Sequence, residues 1–232
     1  MLAVMSSLMD YAVEKDSIAV NPCRAIGRKH KPSQGKLPAR ILGDGELDRL
    51  LVACDGFPWL KDTIMVTYLA ALRLGEACAL QWDDVDLEQR KITIARQLGQ
   101  DGKIGTPKGG KAAEVDMHPE LRKLLIEKKL AAGAVNADTP VLPNGCGEMR
   151  HPKNVQRAFV SARKKAGLSE EPRALRFHDL RHSMITRYAN TPSVVLTDVQ
   201  AFARHATLQT TLVYVHGEDG QQRRDGLAGV AV

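Results

Sequence analysis

Residues 59 to 72, WLKDTIMVTYLAAL, are apolar on nearly every side of a helix. A helix without a polar face is stable only where other elements surround it. The rest of the chain therefore has to supply apolar faces that cover this one segment. It is not a membrane span, because the run from Thr63 to Leu72 is too short to cross a bilayer. A chain of 232 residues is long enough to bury such a helix in one substantial core, or in one domain with an appendage.

The surrounding pattern identifies the covering elements. Residues 1 to 16 read as an amphipathic helix that ends before the break at Asn21-Pro22. Gly27 to Pro38 is rich in Lys, Gly, Pro, Ser and Gln, a linker composition, so a compact domain is expected over 39–216, with a tail over 217–232. Inside it Leu47, Leu50, Leu51 and Cys54 recur at helical spacing, and Leu74 to Gln81 continues as helix until Trp82-Asp83-Asp84. Lys91 to Gln97 alternates as a strand, Gly99 to Gly110 is a turn region, and Ala112 to Met117 can pair back. Pro119 opens a helix carrying Leu121, Leu124 and Leu125. The next places Val155, Ala158, Phe159, Ala162 and Ala166 on one face, with Arg157, Lys164 and Lys165 elsewhere. Three more helices are expected near 178–190, 193–203 and 208–216. The predicted class is mainly α with a small antiparallel β-sheet (α+β).

Charge and cysteine content narrow the partners. The 33 Lys and Arg against 27 Asp and Glu give +6, a lean toward polyanions. The excess is local: from Arg150 to Arg181 there are nine basic residues against three acids, although a solvated helix face has the same look. Cys23, Cys54, Cys78 and Cys146 lack CxxC spacing, so neither a zinc site nor a disulfide framework is signalled. The first residues, MLAVMSSLMDYAVEKD, lack a basic stretch and carry acids among their apolar positions, which argues against a secretory signal and for a cytoplasmic protein.

Candidate chemistry begins at His178-Asp179-Leu180-Arg181-His182. His178 and Arg181 share a helix face, pairing a group that moves protons near neutral pH with a fork that holds anions. His178 and His182 are also spaced as two metal ligands, and either can be an ordinary half-buried helix residue. Arg73 and Glu76 are either an exposed i, i+3 pair or a buried arginine steadied by a carboxylate, the way a fixed anion clamp is built. Lys108 lies among glycines in TPKGGKAAEV, on a turn where a lysine is usually solvated. Among the tyrosines, Tyr68 reads as core, Tyr11 lies beyond the linker, and Tyr188 is roughly 10 Å along its helix from Arg181. Tyr214 follows a Thr-rich connection nine residues after His205 and is the best nucleophile candidate, with a core tyrosine as the ordinary alternative.

Taken in chain order, Arg73, Lys108, His178, Arg181, His205 and Tyr214 resemble the tyrosine recombinase (phage integrase) family. AALRLGEACALQWDDVD is similar to its first-arginine motif, TPKGGKAAEV to its β-hairpin lysine, FHDLRHS to its HxxR box, and RHATLQTTLVY to its second-histidine and tyrosine segment. The resemblance runs from about Ile41 to His216. It implies a catalytic domain that binds double-stranded DNA and attacks a phosphodiester with the tyrosine. A 3′-phosphotyrosine and a free 5′-hydroxyl result, and strands rejoin without ATP, metal or other cofactor. It also implies self-association on DNA, as in the family's tetrameric synapse. In that frame Arg73 and Arg181 clamp the non-bridging oxygens, and Lys108, with a reference pKa of about 10.4, is the acid for the leaving oxygen. His178 accepts the tyrosine proton and His205 donates to the phosphate, with Glu76 and Asp179 supporting them and His182 left to packing or to a supporting contact. Residues 1–26 resemble the end of the family's separate core-binding domain, so the chain reads as a catalytic domain with a truncated partner domain. One departure stands out: Arg204 precedes His205 where the family typically has glycine. Two rival readings are a metal-dependent hydrolase using His178 and His182, and a DNA-binding module without catalysis.

Overall fold

The computed structural model describes residues 2–26, 39–107, 110, 112–170 and 173–215, in two units, Met1–Pro38 and Ala39–Val232. In the first, α1 (Leu2–Glu14) and the single turn α2 (Pro22–Ala25) pack on each other. Asn21 ties them together, donating to Asp10 Oδ1 at 2.8 Å and to the Ser6 carbonyl at 2.9 Å while accepting from the Cys23 amide.

The second unit is assembled around α4 (Pro58–Leu69). Proline at its first turn costs no hydrogen bond, and Leu60, Ile64, Val66, Thr67, Tyr68 and Leu69 are all buried. A buried threonine is tolerable where its hydroxyl finds backbone. Thr63 Oγ1 does so, donating to the Trp59 carbonyl at 2.7 Å. The cover consists of α3 (Glu46–Val52), α5 (Leu74–Cys78), α6 (Pro119–Ala132), α7 (Pro152–Lys165) and α8 (Phe177–Ala189). α5, α6, α7 and α8 each touch α4. α7 presents Val155, Phe159 and Ala162 inward and leaves Arg157, Lys164 and Lys165 exposed, as its sequence period requires.

Strands β1 (Val85–Asp86), β2 (Lys91–Ile94) and β5 (Ala113–Asp116) form an antiparallel sheet in the order β1-β2-β5, with Ile92 opposite both Val85 and Val115. Ile92 and Ile94, two apart, put their side chains on the core face. β3 (Gln97–Leu98) and β4 (Ile104–Gly105) pair as a separate ribbon, so the expected single strand over 91–97 divides after Ile94. That ribbon lies hard against α5: a Cβ on Gly75 would stand 2.6 Å from the Leu98 carbonyl oxygen, so only glycine fits there.

Two other expectations shift. The buried helix stops at Leu69, not 72, because Ala71 takes a left-handed backbone (φ 46°) and turns the chain toward α5. The last expected helix, 208–216, contracts to α10 (Leu208–Leu212), which leaves Tyr214 beyond its end. α8, α9 (Leu196–Ala203) and α10 surround a second apolar cluster of Ala71, Ile185, Ala189, Val199, Ala203, Tyr214 and Val215. Cys54 and Cys78 are buried, and burial pushes the Cys78 thiol up to about 12. No helix among the described residues is long and apolar enough to cross a membrane.

Candidate active site

The turn between α4 and α5 makes the first wall. Arg73 is the N-cap of α5 in an extended conformation, and Glu76 sits three residues on, inside the first turn. The Glu76 side chain has no solvent exposure, yet its carboxylate is satisfied. Oε2 accepts from the Arg73 amide at 2.8 Å and Oε1 from Arg73 Nη1 at 2.8 Å. One carboxylate thus caps the helix and fixes the guanidinium. The clamp reading of Arg73 and Glu76 describes this geometry; the exposed-pair alternative does not, since the Arg73 side chain is itself only 29% exposed.

Arg181 supplies the second wall from the middle of α8 and is 2% exposed. Its guanidinium donates to the Ala71 and Ala203 carbonyls, joining the turn after α4 to the end of α9. The left-handed Ala71 therefore presents its carbonyl to a charge that has little water, the kind of local strain that accompanies a fixed site. Arg204, next after Ala203, also donates to the Ala71 carbonyl (3.1 Å) and to Glu76 Oε2 (2.8 Å). Three guanidiniums share this corner with one carboxylate, leaving two positive charges in a confined space. Burial first, and then the charges of Arg204 and Arg73, push Arg181 down to about 9, so it remains a cation at pH 7.

The third wall carries the titratable rings. Tyr214, 8% exposed, lies beside two imidazoles: its ring runs roughly parallel to His182, with centroids 5.5 Å apart, and to His205, at 5.4 Å. Its Oη is 2.6 Å from His182 Nδ1. His178 meets His182 edge to face at 4.5 Å. His205 Nδ1 is 3.0 Å from Thr211 Oγ1, a fully buried hydroxyl on α10. Asn190, at the end of α8, donates through Nδ2 to the Tyr214 carbonyl at 2.8 Å and to the Thr186 carbonyl at 2.7 Å, which fixes the backbone of the tyrosine.

Burial and the guanidinium field set the protonation states. Burial, then the charges of His182, Arg181 and Arg73, hold His178 at about 4. The residue as a whole is exposed, but the neighbouring cations alone favour its neutral form. Burial followed by Arg181 and Arg73 likewise holds His205 at about 4. His182 is lowered by burial first, with Asp179 partly opposing. The Tyr214 phenol is raised by burial, and Arg181 and Arg73 offset part of that. The array at pH 7 is therefore three neutral imidazoles around an un-ionised phenol, beside excess positive charge.

The structure brings together Arg73, Arg181, His178, His205, Tyr214 and Glu76. Lys108 lies outside the described residues. Asp179 accepts from the Arg176 amide at 2.7 Å and from both Arg173 Nη atoms at 2.8 Å, locking the first turn of α8. Arg40 donates to the Arg173 carbonyl at 2.5 Å and so ties the start of the domain to the same turn. Of the two readings of His182, packing or support of the site, the geometry favours the second, because it makes the hydrogen bond to the Tyr214 hydroxyl. That partner is 32 residues away, and no spacing signal in the sequence connects the two. Asn190 and Thr211 were likewise invisible as site residues. Among the described residues no group of three or more His, Cys, Asp and Glu is arranged to hold a metal ion, and His182 Nδ1 is already engaged by Tyr214.

Comparison with known proteins identifies the family. The phage integrase family matches residues 40–221. The chain is 27% identical over 227 residues to a protein named prophage phiRv2 integrase of Mycobacterium tuberculosis, covering 95% of this chain and 58% of that protein. It is 28% identical over 217 residues to the tyrosine recombinase XerC of Proteus mirabilis, covering 92% and 66% respectively. The chain thus spans about three-fifths of these relatives. In fold it resembles the Tn1549 transposon integrase solved with circular intermediate DNA (TM-score 0.71, 20% identity, 96% of this chain and 76% of that one). It also resembles a lambda integrase tetramer solved on a Holliday junction (TM-score 0.65, 18% identity, 93% and 58%). With most of its length matched, including every candidate site residue from Arg73 to Tyr214, this chain belongs to the phage integrase family.

Proposed function

We propose that this chain is the catalytic part of a site-specific DNA recombinase that cleaves and rejoins double-stranded DNA through a 3′-phosphotyrosine. The observation that carries the reading is the Tyr214 hydroxyl, hydrogen-bonded to a neutral imidazole, in a site that also holds buried, carboxylate- and carbonyl-fixed guanidiniums. Phosphoryl transfer demands little of a protein beyond positioning and charge stabilisation. In the strand cut, Tyr214 Oη attacks the scissile phosphorus. The Oη–P bond forms, the bond from phosphorus to the 5′ oxygen breaks, and the phenol proton passes to an imidazole. His182 in its Nε2–H tautomer accepts that proton through Nδ1, a role the family resemblance gives to His178. Arg73 and Arg181 hold the non-bridging oxygens, His205 donates to one of them, and Lys108 protonates the departing 5′ oxygen. Reversal with a different strand's 5′-hydroxyl completes the exchange, and no nucleotide is consumed because the phosphotyrosine retains the phosphodiester energy.

The same reading assigns residues 1–26 to the end of a core-binding domain, 27–38 to a linker, 39–216 to the catalytic domain and 217–232 to a tail. It places the enzyme on DNA in the cytoplasm, where copies assemble into a synapse. Glu76 and Asp179 act by fixing Arg73 and the head of α8. The test uses a library of nicked duplexes of randomised sequence, incubated with the 232-residue chain in EDTA. Adducts that resist detergent and vanish in Tyr214→Phe are expected. Salt-sensitive DNA binding with no adduct on any member of the library would leave a binding module instead.

A further inference from the structure

Position 204 combines three features that do not explain one another. Its backbone is left-handed, φ 53° and ψ 46°, at the C-cap of α9. Glycine adopts that conformation freely, whereas a residue with a side chain does not. Its side chain turns inward and is only 8% exposed. Its Nη2 is engaged by Glu76 and the Ala71 carbonyl, whereas Nε and Nη1 are buried with no hydrogen-bond partner among the described residues. A helix cap alone would favour glycine. A tether for Glu76 alone would need one nitrogen, and Arg73 already holds that carboxylate twice. Buried charged donors are costly unless something accepts from them.

The location specifies the acceptor. Arg181 and Arg204 both donate to the Ala71 carbonyl oxygen, so the two guanidiniums lie side by side. Glu76 neutralises one of the three charges in this cluster and leaves two. A tetrahedral oxyanion with a net negative charge satisfies both the orphan donors and the charge once the Arg204 side chain shifts enough to open Nε and Nη1, which are buried as they stand. We propose that Arg204 is a third guanidinium of the phosphate site, donating through Nε and Nη1 to a non-bridging oxygen of the phosphodiester clamped by Arg73 and Arg181. The inference rests on the recombinase reading for the identity of that phosphodiester. It makes the arginine at this left-handed position an added ligand, at the expense of backbone strain at the end of α9.

The experiment compares the 232-residue chain with Arg204→Gly and Arg204→Lys. The glycine relieves the left-handed strain, and the lysine keeps charge and reach but lacks the Nε donor. Adducts are measured on one captured nicked substrate, with either a phosphate or an uncharged methylphosphonate at the scissile position. On the phosphate, Arg204→Gly is expected to slow cleavage by about 10²-fold, the effect of losing one oxyanion donor, and Arg204→Lys by less. On the methylphosphonate, wild type and Arg204→Gly are expected to differ by less than about threefold, because the charge that Arg204 balances is gone. An equal loss on both substrates would reduce Arg204 to a tether for Glu76 and overturn the proposal, as would no loss on the phosphate. Binding to an unnicked duplex of about 30 base pairs supplies an arm that needs no chemistry. There the slope of log affinity against log salt is expected to flatten by about 0.9 in Arg204→Gly. An unchanged slope counts against the proposal even if wild type forms no adduct, an outcome that would refute the recombinase reading separately.

Discussion

Glu76→Gln is the perturbation whose consequences the structure defines most closely. The carboxylate is fully buried and accepts from the Arg73 amide and Nη1 and from Arg204 Nη2, each at 2.8 Å. The amide is the same size, so no cavity forms, but its NH2 group must face one of these donors and forfeits at least one hydrogen bond. The charge loss matters more, because three guanidiniums are left together without a counter-ion. Breaking a buried ion pair from one side costs about 3–5 kcal/mol, and loss of a helix cap costs about 1 kcal/mol. Water recovers part of that at Arg73, the more exposed partner, and little at Arg204, whose side chain is buried. A net loss of about 3 kcal/mol is expected, which for a chain of this length lowers the melting temperature by about 6–12 °C. Thermal and urea unfolding followed by circular dichroism, with Glu76→Gln against wild type in the same low-salt buffer, measures it. A loss below about 1 kcal/mol would mean that Glu76 does not neutralise the cluster, and would remove the physical basis for treating Arg73 as a fixed anion clamp.

Other consequences follow from the same geometry. Replacing Tyr214 by Phe should abolish adduct formation while changing stability by only about 1 kcal/mol, the worth of one hydrogen bond to His182; unfolding and adduct assays on the same preparation separate the two. His182→Gln should slow adduct formation by about 10²–10⁴-fold and flatten the acid limb of the rate profile, since the proton acceptor is gone; an unchanged limb would return that role to His178. Acidification should destabilise the fold between about pH 6.5 and 4. The unfolded chain binds protons in that window, whereas folded His178 and His205, held at about 4, stay neutral, so stability is full above about pH 6.5 and falls with pH. Urea midpoints at about pH 7.5 and about pH 5, either side of the upper end of that window, measure the fall, which His205→Gln should lessen and which a level profile would disprove. Arg173→Met should unfold the head of α8 first, because buried Asp179 loses both Nη contacts; hydrogen exchange in 177–182 that matches wild type would contradict it.

What could be read from the sequence divides by the range of the interactions. The apolar period of residues 59–72 marked α4, and the alternation of Ile92 and Ile94 marked the central strand, because both patterns are repeated locally. The stop at Leu69 was not legible: no Gly or Pro marks it, and Ala71 is turned by carbonyl contacts to Arg181 and Arg204, 110 and 133 residues away. In the site, Arg73, His178, Arg181, His205 and Tyr214 were legible because their order along the chain is itself a pattern. The local spacing of His182 points to metal, packing or a supporting contact, while the contact that matters is a tertiary one to Tyr214. Arg204 was visible as a departure from the expected glycine. Its inward turn and orphan nitrogens are tertiary features that no local pattern encodes.

All of the proposed chemistry turns on Tyr214 becoming covalently joined to a 3′ phosphate of DNA. Mass spectrometry of proteolysed, nuclease-trimmed adducts detects that bond, coupled to a kinase assay for the newly exposed 5′ end. The expected outcome is a nucleotide phosphate on the peptide carrying Tyr214 and a released strand that polynucleotide kinase labels without prior dephosphorylation. A nucleotide on any other residue, or a released strand that already bears a 5′ phosphate, is incompatible with a tyrosine nucleophile acting on the 3′ side.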